Sequence, residues 1–373
     1  MKFTIITHVD HIKKEDLYFG YTPYIREMNV WLKYIDELVI VAPLSSKREL
    51  TKIDDFYEFE KINFKKIPNF NFNNFSNSLK SIVKLPSIFW RIFWAMKDSD
   101  HIHLRCPGNV GFIGCLVQIL FPKKVKTAKY AGNWDSESKQ PFTYRLQKWI
   151  LNNSFLTRNI QVLVYGEWKK TTHNIKPFFT ASYSENEKLP VKELYLKDVI
   201  NFVFVGTLSS GKDPLYAIQL VEDLLKKGYK VSLNLYGEGT ERKTLQDYIL
   251  SHNLQKNVIL KGNQNKESIT YAYQNSHFVI LPSKSEGWPK ALAEGMFWGC
   301  VPIATSISCV PFMLDYGARG VLLKKDLVQD INQLETVLTD IEIFDIKRKK
   351  AVKWSREYTL DRFDSEIRKM IKK

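Results

Sequence analysis

The chain has 373 residues, of which 44% are hydrophobic and 25% are charged, and this composition excludes a low-complexity or disordered protein. A length of this order favours two domains. The formal net charge is +15, and the four cysteines lack the paired C-x-x-C spacing of a zinc site. We therefore expect reduced thiols in a cytoplasmic protein. Neither a signal peptide nor an apolar run of about 18 residues is evident.

The positive charge is distributed unevenly. Lys and Arg outnumber Asp and Glu by ten in residues 1–195 and by seven in residues 347–373, but they are outnumbered by two in residues 196–346. The middle block is therefore not basic. We expect the excess charge to serve a partner other than the ligand of that block.

Strands and helices alternate through the first half of the chain. The predicted strands cover residues 2–7, 38–42, 101–104, 125–130 and 161–165. The predicted helices cover residues 24–35, 78–96, 110–120 and 142–152. A polar loop is predicted at 8–21, and residues 44–77 are left unassigned. Strands separated by helices predict parallel βαβ units in a doubly wound sheet.

The same alternation returns after a polar stretch at 184–199, which is interpreted as a linker between domains. Predicted strands cover residues 201–205, 230–236, 258–261, 277–281 and 301–305, and predicted helices cover 215–227, 242–252, 266–274 and 288–298. All five strands end in loops containing Gly, Ser or Thr, at the sheet edge where α/β proteins bind ligands. A helical pattern spans 346–371. We place the domains at 1–190, 191–345 and 346–373.

One stretch of the second half combines features of a phosphate site with two carboxylates. A polar loop leads into the helix predicted at 288–298, with Pro289 in its first turn. The N–H groups and dipole of such a turn attract phosphate. Glu286 and Glu294 flank it, at most roughly 12 Å apart along the helix. Carboxylates suit sugar hydroxyls, and Lys212, in a turn before another helix, could neutralise a diphosphate. The stretch indicates a nucleotide-sugar site.

The spacing of these two glutamates resembles the E-x7-E motif of retaining glycosyltransferases of family 4, also called glycosyltransferase group 1, which have the GT-B fold. Four more segments resemble the family's motifs in the same order: Phe204–Lys212, Leu235–Gly239, Val258–Gly262 and Asp315–Leu323. The first half matches in architecture and in the strand end Asp100–Arg105. The resemblance implies an α/β molecule with two Rossmann-like doubly wound domains facing across a cleft. It also implies that the tail helix packs back on the first domain.

The resemblance assigns roles to matching residues. Glu294 would hold the ribose hydroxyls, Glu286 the sugar hydroxyls, and Lys212 would neutralise the leaving diphosphate, which the N–H groups of 288–291 would also bind. The implied donor-binding set is Gly206, Thr207, Lys212, Gly237, Gly262, Glu286, Gly287, Trp288, Pro289, Lys290, Ala291 and Glu294. The implied catalytic set is Glu286, Lys212 and His103, and the acceptor-side set is His8, Gly20 and Arg105. The resemblance also implies that no metal is needed, which is consistent with a lysine and a helix dipole stabilising the leaving diphosphate. No cofactor is expected, and a nucleotide diphosphate sugar is the co-substrate.

Three features depart from the family pattern. Thr207 occupies the place of an arginine, so one cation of the usual Arg/Lys pair is missing. Pro302 falls one residue later than usual, and residues 129–134 lack the acceptor-side histidine. The remaining histidines are open to two interpretations, acceptor binding or a hydrogen-bonded place at a strand end.

Other patterns leave alternatives open. Asp98 and Asp100 form a D-x-D, the metal-binding pair of the GT-A fold, although a polar turn is the favoured interpretation. The Gly237-x-Gly239 turn lacks the third glycine of a dinucleotide site. The predicted helix 78–96 carries Trp90 and Trp94 among Lys80, Lys84 and Arg91. It suits either an anionic membrane surface or an ordinary core helix, and nothing supports nucleic acid as the partner.

Together with these observations, the resemblance implies a retaining, hexosyltransferase-type enzyme. It would move sugar from a nucleotide diphosphate sugar to a glycan or lipid-linked acceptor in surface polysaccharide or glycolipid biosynthesis. We expect it in the cytoplasm, peripherally at the inner face of the membrane. The alternatives are a nucleotide-sugar epimerase or hydrolase of the same fold, and a non-catalytic binder of polyanions or nucleotides.

Overall fold

The computed structural model describes residues 1–45, 48–51, 53–68, 75–197 and 199–371, and for residues 75–83 it describes the backbone alone. The chain forms two compact units. The first contains Met1–Phe179 and Asp364–Lys373, and the second contains Thr180–Phe363. The division falls at 179/180, before the position at 190 expected from the sequence. The four cysteines are buried and unbridged.

The first unit is built on a parallel sheet with helices between its strands. Its strands are β1 (Lys2–Ile6), β2 (His11–Lys14), β3 (Leu17–Tyr21), β4 (Glu37–Ser45), β5 (Asp54–Phe56), β6 (Ile62–Ile67), β7 (His101–Cys106), β8 (Val125–Tyr130), β9 (Ile160–Tyr165) and β10 (Ile175–Phe178). Its helices are α1 (Thr22–Leu32), α2 (Phe75–Lys97), α3 (Asn109–Val117) and α4 (Phe142–Leu151). The parallel order is β10-β9-β8-β7-β1-β4-β6. Successive strands are therefore added to one side of β1 as far as β6 and to its other side from β7 onward, so the switch point of this sheet lies between β1 and β7.

The region predicted as a polar loop at 8–21 is instead a hairpin of β2 and β3, joined at Glu15, whose φ is +54°. It extends the sheet beyond β4, and β5 pairs with β3. The hairpin is only partly buried, and neither strand shows a regular alternation of apolar and polar residues, so its period-2 hydrophobic pattern is weak. The strands β5, β6 and β10 escaped prediction for the same reason, because their lysines and aspartates interrupt the apolar alternation.

The second unit contains a six-stranded parallel sheet. Its strands are β11 (Ile200–Val205), β12 (Val231–Tyr236), β13 (Val258–Gly262), β14 (Phe278–Leu281), β15 (Val301–Thr305) and β16 (Val321–Leu323). The helices from here to the end of the chain are α5 (Pro214–Lys226), α6 (Arg242–Ser251), α7 (Lys266–Gln274), α8 (Lys290–Phe297), α9 (Val310–Met313), α10 (Leu327–Leu338), α11 (Ile341–Ser355) and α12 (Leu360–Ile371). The order β13-β12-β11-β14-β15-β16 is that of a doubly wound sheet, with its switch point between β11 and β14. The central strands β14 and β15 are wholly buried, as expected for a parallel sheet covered on both faces. Strands β11, β12 and β16 are buried or partly buried, and the edge strand β13 is more exposed.

Two sequence interpretations need correction. Residues 184–197, interpreted as a linker, lie within the second unit, where Lys266 forms an ion pair with Glu187 (2.7 Å). The tail pattern at 346–371 is two helices. Thr359 separates them because its hydroxyl accepts the Arg362 N–H at 3.3 Å, which caps the start of α12. Within the described ranges, no helix has the length and apolar character needed to cross a bilayer.

Candidate active site

Two loops meet at the switch point of the second sheet. The first follows β11 and leads to α5, and the second follows β14 and leads to α8. The Lys284 N–H donates to the Gly211 carbonyl at 2.9 Å and ties the loops together. Open α/β sheets bind ligands in the crevice at this point, because adjacent loops diverge to opposite faces there. The backbone thus places both predicted loops at one position.

An ion pair joins the same two loops through their side chains. The Lys212 Nζ lies 2.6 Å from the Glu286 Oε1. The Lys212 side chain keeps 31% of its surface exposed, whereas that of Glu286 keeps 7%. A further contact positions Glu286, whose N–H donates to the Ser308 hydroxyl at 3.3 Å. The pair therefore presents a positive group toward solvent and a carboxylate held beneath it.

The helix after this loop begins later than the sequence predicted. Pro289 is the N-cap of α8, with φ −74° and ψ 86°, and it does not lie in the first turn. The Leu292 N–H donates to the Pro289 carbonyl at 3.0 Å. The helix start therefore directs the Lys290 and Ala291 N–H groups outward along the helix axis. Pro289 has no N–H, so the predicted row of donors at 288–291 is interrupted.

Glu294 lies one turn further along α8. The Ser182 hydroxyl donates to its Oε1 at 2.6 Å, and the Tyr273 hydroxyl donates to its Oε2 at 3.3 Å. Burial raises the pKa of the Glu294 carboxyl above its ordinary value, although Ser182 and the Lys290 ammonium act in the opposite direction. Glu294 and Lys290 both line a small pocket of the second unit. The carboxylate is thus held by hydroxyl donors, a role that ribose hydroxyls can also fill.

Glycines allow the neighbouring strand-end turns to approach closely. A Cβ on Gly237, which has φ +142°, would lie 1.9 Å from the Gly206 carbonyl oxygen. A Cβ on Gly239 would lie 2.2 Å from the Leu208 carbonyl oxygen. The Gly237 N–H also donates to the Gly262 carbonyl at 2.9 Å. The three predicted glycine positions, Gly206, Gly237 and Gly262, are therefore brought together by backbone packing that no side chain would permit at Gly237.

The remaining predicted donor residues occupy different environments. Trp288 is buried, with 7% exposure, and stacks on Trp354 with 5.9 Å between ring centroids. Its ring supports the loop from within the unit. The Gly287 carbonyl accepts the Cys309 thiol at 2.9 Å. Thr207 is exposed in the loop after β11, so its position is accessible although it carries no charge.

Sequence reasoning missed several residues of the site. Ser182, Tyr273 and Ser308 supply hydrogen bonds to the two glutamates but belong to no recognised motif. Lys325 follows β16, and its Nζ lies 2.6 Å from the Asp213 carboxylate and 3.4 Å from the Pro282 carbonyl. A lysine directly after the last strand of a parallel sheet was a usable signal for a further cation at this edge.

The first unit places the predicted acceptor-side residues in two settings. His8 follows β1 and is exposed, and a Cβ on Gly108 would lie 2.6 Å from its Nδ1. Arg105, near the end of β7, forms an ion pair with Glu27 at 3.2 Å. Although part of His8 contacts solvent, the protein groups around its ring desolvate the imidazole and lower its pKa, and the Arg105 charge adds to this. These residues lie at the switch point of the first sheet.

The structure does not favour His103 as a catalytic residue. Its side chain is fully buried, its Nδ1 bonds the Thr127 hydroxyl at 2.9 Å, and its ring packs against Trp31 at 4.7 Å. Burial lowers its pKa well below the ordinary value, so it is a neutral core residue. Gly20 is also buried, and it lies in strand β3 and not in a loop.

The D-x-D carboxylates lie apart from the predicted sites. Asp100 precedes β7, and its Oδ2 accepts the Lys2 N–H at 2.7 Å at the start of β1. This contact lies at the amino end of the strands, which is the edge opposite to the ligand-binding one. No group of three potential metal ligands occurs in the part of the chain that the structure describes.

Comparison with known proteins agrees with this geometry. The molecule has the GT-B fold. It resembles the lipopolysaccharide outer core galactosyltransferase WaaB, with a TM-score of 0.70 at 15% identity over 100% of this chain and 99% of WaaB. It also resembles Anabaena Alr3699/HepE in complex with UDP and glucose, with a TM-score of 0.67 at 12% identity over 100% and 99% of the two chains.

Residues 185–356 match the family model of glycosyl transferases group 1. The chain therefore carries a glycosyl transferases group 1 domain, which includes the Lys212–Glu286 pair and Glu294. Among curated proteins it is 27% identical to Protein CapJ of Staphylococcus aureus over 262 residues, or 66% of this chain and 64% of CapJ. It spans 51% and 49% of two further relatives.

Proposed function

We propose that the protein is a retaining glycosyltransferase of the family 4 type. It transfers a hexose from a nucleotide diphosphate sugar to a glycan or a lipid-linked acceptor. The observation that carries this proposal is the Lys212–Glu286 ion pair at the switch point of the second sheet. The group 1 domain and the E-x7-E spacing support the same conclusion. The names of WaaB and of the UDP complex of HepE support surface glycan assembly and a nucleotide donor.

The residues at this edge suit distinct steps of such a transfer. Lys212 exchanges Glu286 for the donor's phosphate oxygens, and Glu286 then accepts hydrogen bonds from the sugar. Glu294 exchanges the Ser182 and Tyr273 hydroxyls for those of the ribose. The bond between the anomeric carbon and the diphosphate breaks, and its electron pair leaves with the diphosphate. The acceptor oxygen bonds the same face of that carbon, and its proton passes to the departing phosphate.

Positive charge from Lys212 and from the start of α8 stabilises the leaving diphosphate in this scheme. We accordingly propose that the enzyme needs neither a metal ion nor another cofactor. Transfer in the presence of EDTA measures this directly. A requirement for a divalent cation that persists after donor saturation would overturn it.

The test of the proposed site uses three single variants. Lys212→Ala and Glu286→Gln remove the charges of the pair, and Lys284→Ala removes an exposed lysine of the same loop as a control. We expect the first two to lower transfer about 100-fold or more, because groups that stabilise developing charge contribute on this scale. The control should retain activity. Full activity of both pair variants would show that the site is wrongly assigned.

A donor screen and an acceptor screen separate this function from its alternatives. Thermal shifts with UDP-, GDP- and ADP-sugars identify the donor, since a bound ligand raises stability. An epimerase or hydrolase would convert the donor fully without acceptor. A non-catalytic binder would bind polyanions with an affinity that nucleotides leave unchanged. Dependence of turnover on an added glycan or lipid-linked acceptor supports the transferase alone.

We further propose that the protein acts in the cytoplasm at the inner face of the membrane, through α2. Trp90 and Trp94, one helical turn apart, keep 55% and 49% of their surface exposed. The Lys97 ammonium lies 4.5 Å from the Trp94 ring centroid. An exposed aromatic pair beside a lysine suits the headgroup region of anionic lipids. The Lys80 side chain lies outside the described residues.

Co-sedimentation with vesicles tests this contact. Binding to phosphatidylglycerol-containing vesicles should exceed binding to pure phosphatidylcholine, and the double change Trp90→Ser and Trp94→Ser should abolish the difference. Replacement of Phe155, an exposed aromatic residue outside α2, is the control. Equal binding by the wild type and the α2 variant would exclude this surface.

A further inference from the structure

A cavity of about 420 Å³ opens in the first unit, beside the ends of β8 and β9. Trp134 lies in the loop after β8, Trp168 lies in the loop after β9, and Trp149 lies on α4. The cavity is therefore at the carboxyl edge of the parallel sheet, where α/β folds bind ligands. Its volume falls in the lower part of the range for small-molecule sites and suits one or two sugar rings.

The tryptophans of this cavity are held in place. The Trp134 ring packs edge-on against Tyr130, with 4.9 Å between centroids, and the Trp168 Nε1–H donates to the Tyr165 carbonyl at 2.7 Å. Trp149 is different, because 60% of its surface is exposed. Aromatic faces carry negative charge density, which attracts the C–H groups on the apolar face of a pyranose ring. Fixed rings with one exposed indole thus suit a saccharide.

The polar lining is cationic. Arg145, Lys148, Lys169 and Lys170 all contribute to the wall. Lys148 donates to the Asp135 backbone carbonyl at 2.7 Å, so it is anchored at the base of the cavity. Among the described residues no carboxylate forms an ion pair with these four cations. Asp135 lies close to Lys148, and it does not line the cavity. The net charge facing a ligand is positive.

The loop that carries two of these lysines is tied to α4. Lys170 has φ +58°, and its carbonyl accepts the Asn152 side-chain N–H at 3.3 Å. The Asn152 Oδ1 accepts the Thr172 N–H at 2.9 Å. These bonds hold the lysines opposite Arg145 and Trp149 across the cavity. An arginine fork binds carboxylate or phosphate oxygens in a defined geometry.

We propose that this cavity, which we name the tryptophan pocket, binds one anionic sugar of the acceptor, a pyranose that bears a carboxylate or a phosphate. The pyranose ring stacks on Trp149, and the anionic group pairs with Arg145 and the loop lysines. This inference rests on the proposed glycosyltransferase function, because it specifies the acceptor of that same reaction.

Isothermal titration calorimetry without nucleotide tests the pocket. The probes are a glucuronate-containing tetrasaccharide, its carboxyl-reduced neutral form, a hexose 6-phosphate and a short oligonucleotide. Binding of the first or third supports the proposal and identifies the anionic group. Equal binding of the neutral form would refute the requirement for charge. Tighter binding of the oligonucleotide would refute a saccharide site.

Variants locate the binding. Trp149→Ala and Arg145→Gln should each lower the affinity for the anionic saccharide by about tenfold, which corresponds to the loss of one charged or stacking contact. Both side chains are exposed, so folding should be retained. Phe142→Ala on the same helix and Lys123→Gln elsewhere on the unit are matched controls. Equal losses in the controls would overturn the assignment.

Two further comparisons distinguish failure of the pocket from failure of the proposed function. Trp149→Ala should leave the thermal shift with nucleotide sugar unchanged, and Lys212→Ala should leave saccharide binding unchanged. A protein that binds donor but no anionic saccharide refutes the tryptophan pocket alone. A protein that binds the saccharide but no nucleotide sugar refutes the donor site alone.

Discussion

The two sheets of this protein carry an ion pair at the same topological position, yet the two pairs differ in exposure. Lys212 and Glu286 lie at the switch point of the second sheet, and Arg105 and Glu27 lie at that of the first. Both glutamates keep 7% of their side-chain surface exposed. The lysine keeps 31% exposed, whereas the arginine keeps only 13%.

This difference separates a pair that a ligand can reach from one that holds a strand end. The Arg105 guanidinium also lies over the Tyr24 ring, 5.3 Å from its centroid. It is thus enclosed by a carboxylate and an aromatic face. Lys212 has a carboxylate on one side and solvent on the other, so it can exchange partners. The strand order places an ion pair at the switch point of each sheet. The exposure of the cation determines whether a ligand can bind there.

The largest expected effect is on stability, from removing the cation of each pair. Arg105→Met should cost about 3 kcal/mol, because it leaves a buried Glu27 carboxylate without the arginine. Lys212→Met should cost about 1 kcal/mol or less, since that pair is partly hydrated. Urea unfolding followed by hydrogen exchange in each unit measures both. Arg105→Lys is the control that retains the charge. Equal losses of stability in Arg105→Met and Lys212→Met would show that the two ion pairs do not differ in their structural role.

A smaller effect follows from buried histidines in the first unit. Burial lowers the pKa of His11 and of His101 to about 4. The unfolded chain takes up these protons below pH 6.5 while the folded state does not. Stability is therefore complete above pH 6.5 and is lost as the pH falls toward 4. Each histidine should cost about 2 kcal/mol at pH 5.

Hydrogen exchange of β7 between pH 7.5 and pH 5, corrected for intrinsic rates, checks this loss. His101→Gln should reduce the pH dependence by about 2 kcal/mol, whatever it does to stability at neutral pH. His173→Gln, which changes an exposed histidine of the same unit, is the matched control for the substitution itself. An unaltered slope in His101→Gln would mean that this buried ring is not the group that titrates.

The sequence predicted the second sheet better than the first for a physical reason. Strands β11 to β15 are apolar runs that end in glycine- and serine-rich turns, and the structure confirms a strand at each. The hairpin β2–β3 and strands β5, β6 and β10 are short and lack a regular apolar alternation, so their pairing depends on the neighbours that the fold supplies. The polar strand His101–Cys106 was found, but its alternation did not reveal that His103 would be enclosed by Trp31.

The candidate site shows the same division. Glu286, Glu294 and Lys212 were found because each belongs to a local motif of loop and helix. Ser182, which binds Glu294, is 112 residues away in the chain, and no local pattern marks it. The start of α8 was placed too early, because a proline suits both the N-cap and the first turn. Hydrogen-bond partners that are distant in the chain, and the residue at which a helix begins, depend on packing that the local sequence does not show.

The smallest expected effect sharpens the comparison at the donor edge. Thr207 is exposed in the loop after β11, where the family pattern has an arginine. Thr207→Arg adds a second cation to the edge that already presents Lys212. We expect it to raise the affinity for a nucleoside diphosphate by about threefold at low ionic strength. The gain should be smaller at high salt, because exposed charges are screened.

Thr207→Gln, of similar length but neutral, is the control. Titrations at two salt concentrations measure the difference between the variants. A gain that is equal for arginine and glutamine would show that the loop responds to side-chain length, and that Lys212 alone provides the charge on which the diphosphate depends.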